Sequence, residues 1–177
     1  MKGIIFTEFL EMVERDYGFE ILNDIIDNAQ LESKGIYSGV GTYNHKEFEN
    51  LVEALSKLTK ESKSEILKKY GHYVFQTFYK NYSSFFTNIN HPFELLEHVD
   101  SHIHKEVKKL YPDAELPKFE TTRIGSKSMQ MLYRSKRRME YLALGLMEAS
   151  FEHYTTFCSI EMKEENAESV LFTIKEK

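Results

Sequence analysis

The chain has 177 residues, enough for one domain with a substantial core or at most two small ones. Its 41% apolar and 29% charged residues suit a globular protein in water, while a net charge of −5 argues against general nucleic-acid binding, which needs a basic surplus. The lone cysteine, Cys158, excludes an internal disulfide and any CxxC site; with no membrane-length apolar run and no signal-peptide core in MKGIIFTEF, a cytoplasmic protein is expected.

From Ile4 to Tyr17, the spacing of Ile5, Phe9, Met12 and Val13 predicts a helix that Gly18 stops. A second short helix turns Ile21, Leu22, Ile25, Ile26 and Ala29 inward, and the glycine-rich stretch Glu32 to Asn44 reads as loop. Phe48, Leu51, Val52, Leu55 and Leu58 mark a third helix. Ser62 with Glu65 three residues on has the form of a capping box, opening a fourth helix through Ile66, Tyr70, Val74 and Phe78. A fifth is expected to start at Asn90, ahead of His91-Pro92, and to run to about Tyr111, where Pro112 ends it.

After Pro117 the polarity alternates, predicting strands over Lys118–Gly125 and Lys127–Ser135. A sixth helix follows over roughly Arg138 to Phe151, then closing strands at His153–Met162 and Ser169–Lys175 joined by the polar turn KEENAE. The class is α+β in one domain, 1–177: a helical part to about residue 112, then a small antiparallel sheet with one inserted helix over about 113–177.

Several residues are candidates for chemistry. On the fifth helix Leu96, Ile103, Val107 and Leu110 form an apolar stripe, and His104 falls at its edge near the line of Phe93 and Tyr111. There it is either a neutral metal ligand facing an apolar cavity or a hydrogen-bonded boundary histidine. His98 and His102, four apart, fall away from that stripe and read as a solvated face. Tyr133, Ser135 and Arg137 alternate along YRSKR, so an extended chain turns three donors one way. That set suits a ligand with two neighbouring carboxylates, haem with its propionates among them; it also suits a polar strand face, or a basic patch with Arg134, Lys136 and Arg138. Glu164-Glu165 reads as a solvated charged turn, and Cys158 as packing rather than nucleophile. No GxSxG, Walker, GxGxxG or DxDxDG motif is present, so no enzyme is expected.

His104 followed by EVKKLYP, with YxSxR about thirty residues later, resembles the haem nitric oxide/oxygen-binding (H-NOX) family, which includes the haem domain of soluble guanylate cyclase. The likeness runs from MKGII through HKEVKKLYPDAELP and YRSKRRMEYLALGL to the closing strands. It implies b-type haem, non-covalently held because no CxxCH motif exists, with His104 as axial ligand and Tyr133, Ser135 and Arg137 on the propionates. It places Ile5, Phe78, Pro117 and Leu146 against the macrocycle, Pro117 as the residue that distorts it. Oxygen-binding members carry a distal tyrosine supported by a tryptophan and an asparagine; the matching positions here read Leu142, Phe9 and Val74, so nitric oxide (and CO) is implied over O2. The zinc site of some relatives is impossible with one cysteine.

The implied function is a non-catalytic nitric oxide sensor. Breakage of the iron–His104 bond would shift its helix and signal to a separate protein, such as a histidine kinase or a cyclic-di-GMP enzyme. Two alternatives stand beside it. One is a haem sensor of oxygen or redox state, with Tyr141 as gas donor; the other is a haem-free interaction module with an aromatic pocket.

Overall fold

A computed structural model describes all residues, Met1–Lys177. They form two compact units, Met1–Tyr70 and Gly71–Lys177. In the first, α1 (Gly3–Tyr17), α2 (Phe19–Asn28) and α3 (His45–Thr59) precede the opening of α4 (Lys63–Asn81). The buried stripe of α1 is Phe6, Phe9, Met12 and Val13; Ile5, expected on it, is only half-buried. In α2 only Leu22 and Ile25 are fully buried, a narrower inward face than the sequence suggested. The Ser62–Glu65 capping box forms in full: the Glu65 N–H donates to Ser62 Oγ at 3.2 Å, and the Ser62 N–H to Glu65 Oε2 at 3.0 Å.

The long loop after α2 is held down rather than free. Gly3 N–H donates to Gly41 O at 2.8 Å, and Ile4 N–H to Gly39 O at 3.0 Å. A Cβ on Gly3 would lie 1.8 Å from Ser38 O, so only glycine allows this approach. The buried carboxylate of Glu47 accepts from Ser33 Oγ, from Ser33 N–H at 3.2 Å and from Tyr37 Oη at 2.9 Å, which satisfies a charge that burial would otherwise penalise.

The second unit holds the rest of α4, a 3₁₀ turn at Ser83–Phe86, then α5 (Pro92–His98), a π-helical turn at Val99–Ile103, and α6 (His104–Leu110). Strands β1 (Lys118–Gly125) and β2 (Ser128–Arg134), helix α7 (Glu140–His153), and strands β3 (Cys158–Asn166) and β4 (Ser169–Glu176) complete it. The sheet is antiparallel in the order β1-β2-β4-β3. Its inner face pairs Met129 with Ile174, Met131 with Phe172 and Tyr133 with Val170, and packs on Phe93 and Leu96 of α5 and on Ala143, Met147 and Phe151 of α7. No helix is long and apolar enough to cross a membrane.

Four expectations are corrected here. The fifth helix begins at Pro92 with His91, not Asn90, as its cap: His91 Nδ1 accepts from Phe93 N–H at 3.2 Å. That helix is also not continuous, because the π turn advances each residue through a smaller angle than an α-helix does. Leu110, assigned to the apolar stripe, therefore ends 56% exposed. Strand β2 stops at Arg134, so Ser135 and Arg137 lie in the turn beyond it and not on a strand face. Finally, β3 runs on to Asn166: Glu164 and Glu165 belong to the strand, paired with Arg138 and Lys163, and the turn is Ala167–Glu168.

Candidate functional site

His104 opens α6 immediately after the π turn, and its side chain is 17% exposed. Its Nδ1 lies 3.2 Å from Asp100 Oδ1, one carboxylate oxygen four residues back across that turn. Burial pushes the imidazole pKa below its ordinary value, against the opposing pull of Asp100, so the ring is held neutral. With Nδ1–H donated to Asp100, Nε2 is the nitrogen with a lone pair to offer a metal. His98 and His102 are exposed, and no cluster of three metal-ligating side chains exists elsewhere.

Phe119 joins this histidine to the second group of candidates. Its ring centroid lies 5.8 Å from that of His104 and 5.4 Å from that of Tyr133. Tyr133, last but one in β2, is 2% exposed, with its pKa raised chiefly by burial. Its hydroxyl oxygen accepts from the Met139 N–H at 3.0 Å just before α7, and the hydroxyl also hydrogen-bonds the Ser135 side chain. Ser135 Oγ accepts from Arg137 N–H at 3.1 Å and closes the turn that brings the guanidinium back. Arg137, its side chain 18% exposed, grips a carboxylate already: Nη2 donates to Glu115 Oε2, and Nη1 to Glu115 O at 3.2 Å.

Tyr133 thus lies on the strand while Ser135 and Arg137 follow it in a turn, where the sequence suggested one extended strand. A donor set of phenol, hydroxyl and fork-shaped guanidinium matches carboxylates. Together with a neutral imidazole one aromatic ring away, it fits an iron porphyrin with two propionates. One arm of the Arg137 guanidinium meets the Glu115 carboxylate and the other the Glu115 backbone carbonyl.

The other predicted residues are placed as follows. Pro117 is half-buried, one residue before β1. Val74 is 1% exposed on α4, while Phe78 is half-buried there with its ring 5.9 Å from that of Tyr82. On α7, Leu142 and Leu146 are half-buried, Leu146 against the cluster of Phe75, Leu95 and Ala149. A Cβ on Gly71 would lie 2.5 Å from Leu142 O and 2.8 Å from Gly145 Cα, so α4 and α7 touch backbone to backbone here. Ile5 and Phe9 belong to the first unit. There Ile5 O accepts from Tyr70 Oη at 2.6 Å, and Phe9 is fully buried with its ring edge-on to Phe48 and Tyr70.

Asp100, Glu115 and Phe119 were not singled out in the sequence. Asp100 had a legible signal, a carboxylate four residues before a histidine; Glu115 and Phe119 meet their partners only through the fold. Cys158 is half-buried against the sheet core with its thiol pKa raised by burial, which suits packing. A groove of about 600 Å³ on the other face of the sheet, floored by Leu132 and Leu171, contains none of these residues.

Comparison with known proteins gives a consistent picture. The family model for haem-NO-binding domains matches residues 2–162. The H-NOX protein from K. algicida, solved in its unliganded Fe(II) form, is 38% identical with a TM-score of 0.94, over 100% of this chain and 97% of that one. The H-NOX from Shewanella woodyi in its Fe(II)CO state is 33% identical, TM-score 0.86, over 100% and 95%. An S. oneidensis H-NOX in the Fe(II)NO state, 21% identical with a TM-score of 0.92 over 100% and 99%, shows the same fold. No curated protein matches the chain. The chain belongs to the haem-NO-binding, or H-NOX, family of haem-binding gas-sensor domains.

Proposed function

We propose that the protein is a nitric oxide sensor, without catalytic turnover of its own, working in the cytoplasm on non-covalently bound b-type haem. The single observation that supports the site is the run His104–Phe119–Tyr133, which sets a neutral, singly donating imidazole and a carboxylate clamp on two sides of one ring. Haem supplies a ferrous iron at which the gas binds. His104 Nε2 would hold the iron, with the ring oriented by Asp100. Tyr133, Ser135 and Arg137 hold the propionates, with Glu115 sharing or releasing the guanidinium as they bind.

Gas choice follows from what the distal residues lack. Dioxygen needs a hydrogen-bond donor to be retained, and nitric oxide and CO depend much less on one. Val74, Leu142 and Phe9 carry no donor. Tyr141, the neighbouring hydroxyl on α7, is 39% exposed, whereas Leu142 is half-buried. Nitric oxide is therefore the favoured ligand over O2.

Signalling rests on His104 and the segment before it. Released from the iron, His104 would stay tethered to Asp100 across the π turn, the least regular part of the α5–α6 run. A shift of the imidazole then moves α6 and the β1 strand that packs against the π turn. The recipient is a separate signalling protein, a histidine kinase or a cyclic-di-GMP enzyme as the family resemblance implies.

Absorption spectra of the ferrous protein under argon, air and nitric oxide test this reading. Nitric oxide is expected to change the Soret band while air leaves it unchanged apart from slow oxidation. A stable oxy spectrum would overturn the gas assignment, and a purified protein that takes up no haem would favour the interaction module. In His104→Gly the native ferrous spectrum is expected to disappear and to return with added imidazole; an unchanged spectrum would remove His104 as ligand.

A further inference from the structure

Two arginines stand side by side in the turn after β2, and their surroundings differ. Arg137 meets Glu115, whose side chain is 80% exposed and can give way to another carboxylate. Arg138 is engaged elsewhere. Its Nη1 donates to Ala167 O at 2.9 Å, and its Nη2 to Glu140 Oε1 at 2.9 Å and to Glu164 Oε1; Nε lies 3.3 and 3.4 Å from the two Glu140 oxygens. Four of its five N–H groups are thereby taken up by groups outside the Tyr133–Ser135–Arg137 set.

The backbone at Arg138 has φ +49, in the left-handed region that a non-glycine residue adopts only at a cost. Something must hold it there, and the side-chain bonds are the evident means. Glu140 is 7% exposed, so the pair it forms with Arg138 is largely shielded from water, whereas Glu164 is exposed and adds less. A second tie runs in parallel: Ser135 N–H donates to Glu168 O at 2.9 Å, extending the β2–β4 ladder one step past the Arg134–Ser169 pair. The turn that bears Ser135 and Arg137 is thus fastened at both ends to the Ala167–Glu168 turn. Its exit is fastened again, where Met139 N–H meets the Tyr133 phenol.

We propose that Arg138 is a positioning residue for the carboxylate clamp: it touches no ligand, but fastens the clamp's turn to the β3–β4 turn so that Tyr133, Ser135 and Arg137 keep one common direction. This inference rests on the haem reading above. Without Arg138 the turn is free to leave the left-handed conformation, and Arg137 splays away from the Tyr133 hydroxyl.

The test uses the full haem-loaded chain, with Arg137→Ala as reference. The readouts are the haem-propionate bending band in resonance Raman, the rate of haem transfer to excess apomyoglobin, and the thermal midpoint. Arg138→Ala is expected to move the propionate band in the same sense as Arg137→Ala and to speed haem loss by about tenfold, the lower end for one charge-assisted bond. Arg138→Lys, which keeps the charge but not the fork, is expected to recover only part of this. Since Arg138→Ala leaves Glu140 buried without its partner, the double variant Arg138→Gln with Glu140→Gln serves if the single one does not fold. An unmoved propionate band in a folded variant, even with a lowered thermal midpoint, would reduce Arg138 to a structural tie and overturn the proposal. If the wild type took up no haem, or Arg137→Ala left the band unmoved, the haem reading itself would fail and this inference with it.

Discussion

In Met1–Tyr70 a group of rings meets edge to face within a core that also holds Met12, Val13, Ile25, Leu51 and Leu55. Phe9 lies 5.1 Å from Phe48 and 5.3 Å from Tyr70, and Phe6 lies 5.7 Å from Phe48, all of them at most 2% exposed. In Gly71–Lys177 the core is a sheet face of methionine, valine and isoleucine with Tyr133 and Phe172. At the end of β2, charged and hydroxyl groups are tied together by Arg137, Arg138, Glu115 and Glu140. The difference teaches where each kind of chemistry can live. A ring-packed core gains from geometry and offers few donors, because polar tips such as the Tyr70 hydroxyl on Ile5 O and the Tyr37 hydroxyl on Glu47 are already engaged. Donors for a ligand have to come from a place where regular structure ends and side chains can be turned together.

The largest effect expected breaks the first half of this contrast. Phe9→Ala removes a fully buried ring with two ring partners and is expected to lower unfolding stability by about 3–5 kcal/mol. The midpoint of urea unfolding reads it. A loss below about 1 kcal/mol would show that the rings repack freely.

The second expected effect breaks the other half. Arg137→Ala is expected to weaken haem retention by roughly 1.5–3 kcal/mol, as for a hydrogen bond to a charged group, and Ser135→Ala by less, as for a neutral one. Competition with apomyoglobin ranks the two. Equal retention in Tyr133→Phe, Ser135→Ala and Arg137→Ala would leave the set a polar turn with no ligand to hold.

The same contrast explains what the sequence let through. The helices of the first unit were legible because apolar residues recur at helical spacing, and the Ser62–Glu65 box because capping is local. Strand β1 was read with its bounds, Lys118–Gly125, since Pro117 and alternating polarity are both short-range signals. The break in the fifth helix was not legible. A π turn at Val99–Ile103 leaves the residue types of an α-helix in place and changes only their angular step, so Leu110 looked apolar-facing and is exposed. Ser135 and Arg137 were placed with Tyr133 on one extended strand, and the strand ends at Arg134 before reaching them. Their placement involves bonds from Arg137 to Glu115 and from Ser135 to Glu168, 22 and 33 positions away in the chain, which no local pattern encodes.

A third prediction sharpens the comparison by moving a donor to where there is none. Leu142→Tyr puts a phenol on the half-buried face of α7, and one neutral hydrogen bond to a bound gas is worth about 1 kcal/mol, or roughly fivefold in affinity. Oxygen affinity of the ferrous protein is expected to rise from undetectable towards measurable in air. If Tyr141→Phe, in the wild-type background, lowered oxygen affinity instead, Tyr141 would be the distal donor and the selectivity for nitric oxide would be abandoned.

The smallest effect belongs to a polar site inside the ring-packed unit, the capping box of α4. Ser62 Oγ accepts from Glu65 N–H while the Glu65 carboxylate accepts from Ser62 N–H, so each satisfies a donor that the helix start would leave unpaired. Both residues are exposed, and Ser62→Ala is expected to cost about 0.5–1 kcal/mol in chemical unfolding, the low end for a lost cap. The loss carries a pH signature. Hydrogen bonds from Ser62 hold the Glu65 carboxyl below its ordinary 4.5, so folding favours the ionised form. That stabilisation is present above the ordinary value and fades as pH falls through the lower, folded-state value. The gap between wild type and Ser62→Ala is therefore expected to be full near neutrality and to narrow in acid. A gap that stayed constant down to about pH 3 would show that the serine acts through its own hydroxyl on the backbone alone, with no help from the glutamate's charge.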